Sequence, residues 1–371
     1  MTGIRGGDRR ARVALAVAAA LLLGAAATGY TVHAARREPG GTAPQAAARP
    51  QAAAPGPGPA GAPHGSGRAP AAAEGVVAGP LSLDGGRRLL FRSTIPGDAH
   101  GALATVPMSD PSGTRTVGEA RCERVDAAAG VALCLRASSN ALVRYEAVVL
   151  DRRLRELRRV PVGGLPSRAR ISADGRIASW TVFVTGHSYA ATGFSTRTSV
   201  IDLRTGRLLV RNMERFRILK DGREYRSADV NLWGVTVTAD DDRFYATLGT
   251  RGRTYLVEGE LARQEVRTLR ENVECPSLSP DGTRLAFKKR MPDDWRKPWR
   301  LHVLDLATMR ETPLAERSNV DDQAAWLDDR TVAYALEEPD EPRSNVWAVP
   351  ADGGGAPRLL VRDAFSPAPL P

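Results

Sequence analysis

The sequence predicts an all-β protein, a six-bladed β-propeller, preceded by one N-terminal transmembrane helix and a disordered linker. Three observations predict the propeller. A tight turn recurs at blade-like intervals, short β-branched or aromatic runs flank each turn, and no convincing amphipathic helix follows residue 36.

The turn reads Ser82-Leu83-Asp84-Gly85, Ser172-Ala173-Asp174-Gly175, Thr238-Ala239-Asp240-Asp241 and Ser279-Pro280-Asp281-Gly282. Degenerate copies run from Asp126 to Gly130 and over Leu327-Asp328-Asp329. Asp bonds its own backbone and Gly supplies positive φ, so both suit a tight turn. With Asp84, Asp126, Asp174, Asp240, Asp281 and Asp328 as markers, the gaps are 42, 48, 66, 41 and 47 residues. A short strand follows each turn, among them RRLLF, VALCL and TVAYAL. After a variable loop comes another, such as GALATV, TSVIDL or NVWAVP. Four short strands per unit cannot bury both faces of a sheet alone, whereas sheets stacked radially around an axis can. The 66-residue gap places extra length at 211–230 rather than a seventh blade. Residues 151–159 (DRRLRELRR) look helical but stand where a blade's outer turn and strand belong. The inner strand of the first blade can come from residues 75–81 or from the tail after Asp363, and either closes the ring.

Ahead of the repeats, residues 13–32 carry no charge, and Arg5, Arg9, Arg10 and Arg12 precede them. Twenty helical residues span about 30 Å, the thickness of a bilayer's hydrocarbon core. The positive-inside rule then makes 1–12 a cytoplasmic basic stub and 13–35 a transmembrane signal anchor, with the rest of the chain outside the cytoplasm. The alternative is a signal peptide cleaved near Ala34, leaving a secreted protein. In residues 38–74, Ala, Gly and Pro fill 28 of 37 positions and no large apolar residue occurs. Residues 36–75 are therefore expected to be a disordered tether averaging roughly 35 Å end to end. The propeller is assigned to 76–367.

Export permits disulfides. A hairpin centred on Ala128 sets Cys122 opposite Cys134, which allows a cross-strand link. Two buried thiols are the alternative, and Cys275 reads as an apolar filler. The formal charge of +10 rests on arginine with only four lysines. That pattern reads as compositional bias, so no nucleic-acid partner is expected.

Ser279-Pro280-Asp281-Gly282-Thr283-Arg284-Leu285-Ala286-Phe287 followed by Leu301-His302-Val303-Leu304-Asp305-Leu306 resembles the repeat of TolB-type propellers. Asn345-Val346-Trp347-Ala348-Val349-Pro350-Ala351-Asp352-Gly353-Gly354 is similar to the second half of that repeat. The resemblance covers about 76–367 and implies a six-bladed, non-enzymatic, extracytoplasmic propeller that works through protein contacts. TolB carries an α/β domain ahead of its propeller, and here a helix and a low-complexity tether stand in its place.

Little in the sequence points to catalysis. Gly186-His187-Ser188-Tyr189-Ala190 approximates a nucleophile elbow, but a loop-like segment follows it where a helix is required. The only later histidine, His302, lies in a strand. Ser82-x-Asp84-x-Gly86 matches part of a sialidase Asp box, and the other copies lack the second Gly. Asp240-Asp241-Asp242 lacks the alternating ligands of a calcium loop and reads as a solvated turn. The expectation is no catalytic residue, no metal and no cofactor.

A binding surface is easier to place. Turns between first and second strands lie on one face of a propeller, and loops between second and third strands lie on the other. Those second loops, 92–100, 185–196, 289–299 and 337–344, are where the sequence varies in length, which marks a binding face. The basic loop supplies Arg290, Trp295, Arg296, Lys297 and Trp299, and residue types of this kind are enriched at interface hot spots. His187 and Tyr189 extend the candidate set. The next loop, 337–343, is acidic and offers the basic loop an alternative partner within the chain. The expected partner is an envelope or secreted protein, and contact with the membrane is expected only through the N-terminal helix. A hydrolase or lyase site at the channel mouth is the other reading.

Overall fold

The computed structural model describes residues 75–138, 144–184, 195–292, 297–339 and 341–371. The proposed anchor and tether fall outside these residues. Among the described residues no helix is long and apolar enough to cross a membrane.

Among the described residues, twenty-seven strands form six sheets. Blade 1 is β2 (Arg88–Ser93), β3 (Ala102–Pro107) and β4 (Arg115–Arg121), with β1 (Val76–Ala78) added outside β4 and β27 (Ala364–Leu370) inside β2. Blade 2 is β5 (Arg124–Ala128), β6 (Val131–Ala137), β7 (Tyr145–Leu150) and β8 (Glu156–Val162). Blade 3 is β9 (Leu165–Ile171), β10 (Ile177–Val184), β11 (Ser195–Asp202) and β12 (Leu208–Val210). Blade 4 is β15 (Asn231–Val237), β16 (Arg243–Thr250), β17 (Arg253–Glu260) and β18 (Glu265–Glu271), and the hairpin β13 (Arg217–Lys220) and β14 (Arg223–Tyr225) widens it. Blade 5 is β19 (Glu274–Leu278), β20 (Arg284–Arg290), β21 (Trp299–Asp305) and β22 (Glu311–Pro313). Blade 6 is β23 (Ala325–Asp328), β24 (Thr331–Glu337), β25 (Ser344–Pro350) and β26 (Arg358–Val361).

The innermost strands β27, β5, β9, β15, β19 and β23 touch one another in sequence and close a ring. An apolar cluster fills each gap between blades. Leu89, Phe91 and Ala104 of blade 1 meet Ala333, Val346 and Ala348 of blade 6, and five comparable clusters occupy the other interfaces. This packing explains why the middle strands read as near-continuous apolar runs: they are buried on both faces. Residues 151–159 end in the outer strand β8, so placement in the blade overrides their helical pattern.

The C-terminal tail closes the ring, with Leu89 opposite Pro369 and Ser93 opposite Ala364. Residues 76–78 pair instead with β4, on the outside and in parallel. This explains the loose first turn. Asp84 enters β2 from outside, with no inner strand covalently joined to it, and its amide donates to the Ser82 hydroxyl. Elsewhere the turn repeats one geometry. The Ser172 hydroxyl donates to Asp174, whose carboxylate accepts the Arg176 amide, and Gly175 takes φ +74°. Ser279, Asp281 and Thr283 repeat the arrangement.

Two sequence expectations need correction. The β5–β6 hairpin turns at Ala129 and Gly130, both at positive φ, and pairs Val125 with Cys134. A two-residue turn of this kind fits the twist of paired strands, so the centre falls after Ala128. Cys122 therefore precedes β5, in the connection from blade 1. It still forms a disulfide with Cys134, with Cα atoms 5.4 Å apart, while Cys275 is a buried free thiol. Asp126 is not a turn residue either. It lies buried inside β5 and accepts the Ile171 amide at 2.8 Å, pinning blade 2 to blade 3.

One glycine is required where inner strands converge. Gly234 has φ +66°, and a Cβ there would lie 2.8 Å from the Cα of Cys275, a backbone atom with no freedom to move aside.

Candidate binding face

Strand order sorts the connections. The β9–β10 and β19–β20 turns, which carry Asp174 and Asp281, share one face, called here the turn face. The ends of β2, β10, β20 and β24 and the starts of β3, β11, β21 and β25 lie on the opposite loop face, as do the connections that carry each blade's last strand to the next blade's first.

The predicted interaction residues divide accordingly. His187, Tyr189, Trp295 and Arg296 lie outside the described residues. Lys297 is exposed, and Arg290 and Trp299 are cross-strand partners at the loop-face ends of β20 and β21. Trp299 is half-buried, with the Lys288 ammonium 4.6 Å and the Arg290 guanidinium 5.9 Å from the centroid of its ring. Its amide donates to Asn319 at 2.9 Å. Two cations beside this loop pair elsewhere than with the acidic loop. Lys289 bonds Glu311, and Lys288 bonds Asp321. On the acidic side, Arg343 bonds Glu341 and reaches Asp363 at 3.4 Å.

Sequence reasoning missed the centre of the face. Where the inner strands begin, charged side chains from several blades converge on the axis. Arg124 of blade 2 donates to Asp322 of blade 6 at 2.8 Å and lies 4.2 Å from the centroid of the Phe365 ring. Lys288 of blade 5 lies between Asp321 at 2.5 Å and Glu274 at 3.7 Å. Arg168 of blade 3 donates to the Cys275 sulfur at 3.4 Å and lies 3.9 Å from Asp321. Arg170 reaches across to the Ala324 carbonyl of blade 6 at 2.8 Å, with Asp126 3.8 Å away. The one visible signal was positional: Arg124, Arg168, Glu274 and the Asp321-Asp322-Gln323 run all stand in or just before a first strand, at places where other strands carry apolar residues.

The electrostatics follow from burial and partners. Burial lowers the Arg124 pKa against the pull of Asp322. Burial pushes Asp321 up, but Lys288, Arg168 and Arg124 outweigh it and hold the carboxyl below its usual range. Burial raises Glu274 despite Lys288. Between Arg124, Arg168, Arg170 and Asp322 only about 20 Å³ of free space remains. A larger hollow of about 350 Å³ opens at the seam of blades 6 and 1, lined by Arg92, Thr94, His100, Arg343, Ser344 and Phe365. Ser188 lies outside the described residues. His302 sits half-buried in β21 against Phe287, and burial together with Lys289 lowers its pKa to about 4.

This arrangement of blades is similar to solved structures. The fold is a TolB-like six-bladed β-propeller. TolB from Acinetobacter baumannii superposes with a TM-score of 0.55 at 16% identity, over 77% of this chain and 67% of its own. A chain of the nidogen/laminin complex gives 0.50 at 13% identity, over 77% of this chain and 99% of its own. An oligogalacturonate lyase in complex with manganese gives 0.38 at 11% identity, over 67% of this chain and 82% of its own, too distant to bear on chemistry. No protein-family model matches the sequence, and no curated protein sequence matches it. At these identities the likeness establishes the TolB-like fold alone.

Proposed function

We propose that this chain is a non-catalytic binding module, tethered outside the cytoplasm by residues 13–35, whose loop face engages an envelope or secreted protein. If the segment is cleaved near Ala34, the same module is secreted. One observation carries the binding reading. The axial charges largely pair with one another, and between Arg124, Arg168, Arg170 and Asp322 only about 20 Å³ of space remains, room for about one water. This favours a partner on the rim, where Trp299, Arg290, Lys297 and the hollow beside Phe365 carry aromatic and cationic groups.

A second reading, a hydrolase or lyase at the same mouth, draws on one feature. Glu274 and Asp321 flank Lys288 with their acidities pushed in opposite directions, as an acid and a base require.

The test is cross-linking of the full chain in its own cell envelope, comparing wild type with Trp295→Ala/Trp299→Ala. Capture of a defined protein should weaken by about 2 kcal/mol or more, roughly thirtyfold, with the melting temperature nearly unchanged. Undiminished capture by the double variant would remove the loop from the site. A reporter fused after residue 75 should be active only outside the cytoplasm, and a mature protein starting at Ala35 would show cleavage.

A further inference from the structure

Outer strands leave a row of unpaired backbone groups, and this chain treats its six outer edges in two ways. Three blades end in strands too short to recruit another chain: β12 and β22 have three residues and β26 has four. The other three, β4, β8 and β18, have seven. Two of these are covered from within the chain. β1 runs parallel to β4, with Val76, Val77 and Ala78 opposite Arg115, Thr116 and Val117. β13 runs parallel to β18, with Arg217, Ile218 and Leu219 opposite Glu265, Val266 and Arg267. In each case the added strand covers the first three residues of the outer strand.

Among the described residues, β8 is the long edge that no strand covers. Its equivalent residues are Glu156, Leu157 and Arg158. Val266, second in β18, is 1% exposed, whereas Leu157, second in β8, is 61% exposed. The pairing with β7 shifts register there, between Val149 and Leu150, leaving Leu157 as the extra residue of β8. Pro161 has no N–H to offer and stands beyond these positions, so it blunts only the far half of the edge. The surroundings are basic. Arg152, Arg153, Arg155, Arg158 and Arg159 are all exposed; Arg155 pairs with Asp151, Arg159 with Glu156 and Glu146, and Arg152 lies 3.7 Å from Asp84, which still leaves an excess of arginine.

We propose that the β8 edge at Glu156–Arg158 is a docking site for an extended segment of a partner protein, an acidic strand with an apolar residue that covers Leu157. The inferred occupant adds as a parallel strand, as β1 and β13 do on their own blades. Backbone hydrogen bonds supply affinity, and the arginines select acidic flanks. The site is on the outer rim and independent of the loop-face reading.

The test uses the full chain and a fluorescent acidic peptide of alternating Glu and Val. Controls are the same peptide with alternate amides N-methylated and a Lys/Val counterpart. At about 1 mM the Glu/Val peptide should saturate a site and slow amide exchange at 156–160, and Leu157→Asp should weaken it about tenfold with an unchanged melting temperature. N-methylation should abolish binding, and the Lys peptide should not bind. Lack of protection at 156–160 would overturn the proposal. So would binding indifferent to N-methylation, which would mean attraction to the arginines alone. Self-association of the chain that Leu157→Asp abolishes would overturn it as well, by making a second copy the occupant.

Discussion

The two faces of the ring are built on different principles. On the turn face, short motifs repeat and neighbouring turns are stitched edge to edge. Arg176 reaches Asp241 at 3.2 Å, the Asp281 amide donates to Asp329 at 3.0 Å, and Arg87 lies 3.8 Å from Asp328. Each stitch joins only adjacent blades, and apart from the part-buried Asp241 carboxylate they lie at the surface. On the loop face the decisive contacts span the ring: Arg124 to Asp322 joins blades 2 and 6, and Arg170 to Ala324 joins blades 3 and 6. Local, exposed, repeated interactions are individually weak, whereas a buried cross-ring pair is costly to break. The comparison therefore says where the fold tolerates change and where a single substitution spreads.

The largest expected effect tests that asymmetry. Arg124→Ala leaves Asp322 buried without its cation and should cost about 3–5 kcal/mol. Arg124→Met/Asp322→Leu removes both charges and should recover most of that loss. Denaturant melts of the three proteins decide it. A single variant within about 1 kcal/mol of wild type would mean that water reaches the pair and the axis is not a dry lock.

Next is the disulfide, which ties the blade 1–2 connection on the loop face to β6. Replacing Cys122 and Cys134 with Ser should cost about 3 kcal/mol by the loop-entropy account, seen as a lower melting temperature. Non-reducing peptide maps should show one Cys122–Cys134 link and a free Cys275.

The same contrast explains what the sequence disclosed. The turn face was legible because its chemistry is local: Ser172, Asp174 and Gly175 meet within four residues, so the motif predicts the geometry. Blade count, strand order and the assignment of loops to one face followed from it. The axial cluster was not legible, because Arg124 and Asp322 are 198 residues apart and meet only when the ring closes. Cys122 and Cys134 show the intermediate case. Proximity in sequence foretold the bond, but the register depended on which residues took positive φ, and the turn settled on Ala129-Gly130. Asp126 misled for the opposite reason. It has a turn's composition nearby, yet its carboxylate is committed to the next blade.

A third test sharpens the comparison through pH. Glu214, in the insertion ahead of blade 4, accepts the Thr196 hydroxyl at 2.9 Å and the Leu232 amide at 3.5 Å, where β11 and β15 begin on the loop face. Its other oxygen has no partner. Burial raises this carboxyl to about 7, against the Thr196 bond that favours the anion. A raised acid contributes stability that is fully present below about pH 4.5 and is lost as pH rises through about 7. Glu214→Gln should remove that dependence and exceed wild type by about 2–3 kcal/mol at pH 8.5, while matching it more closely at pH 5. Melts across pH 5–8.5 measure it, and parallel curves would show that the group is solvated.

The smallest effects belong to the turn face, and there the informative quantity is how they combine. Asp281 accepts from the Ser279 hydroxyl and the Thr283 amide and backbone-stitches to Asp329, yet it stands at the surface. Although burial acts to raise it, these hydrogen bonds hold its carboxyl at about 2. Its contribution is present above about pH 4 and is lost as pH falls through about 2. Asp281→Ala should cost about 1 kcal/mol at pH 7, as should Asp174→Ala in the equivalent turn of blade 3. The two turns share no partner, so the double variant should equal the sum within about 0.5 kcal/mol. At the axis the sum should fail badly, because removing Arg124 and Asp322 together costs far less than the two single losses added. A turn-face pair that couples by more than about 1 kcal/mol would mean that strain passes between blades 3 and 5 through blade 4. The faces would then differ in burial alone, and the ring would behave as one cooperative unit on both sides.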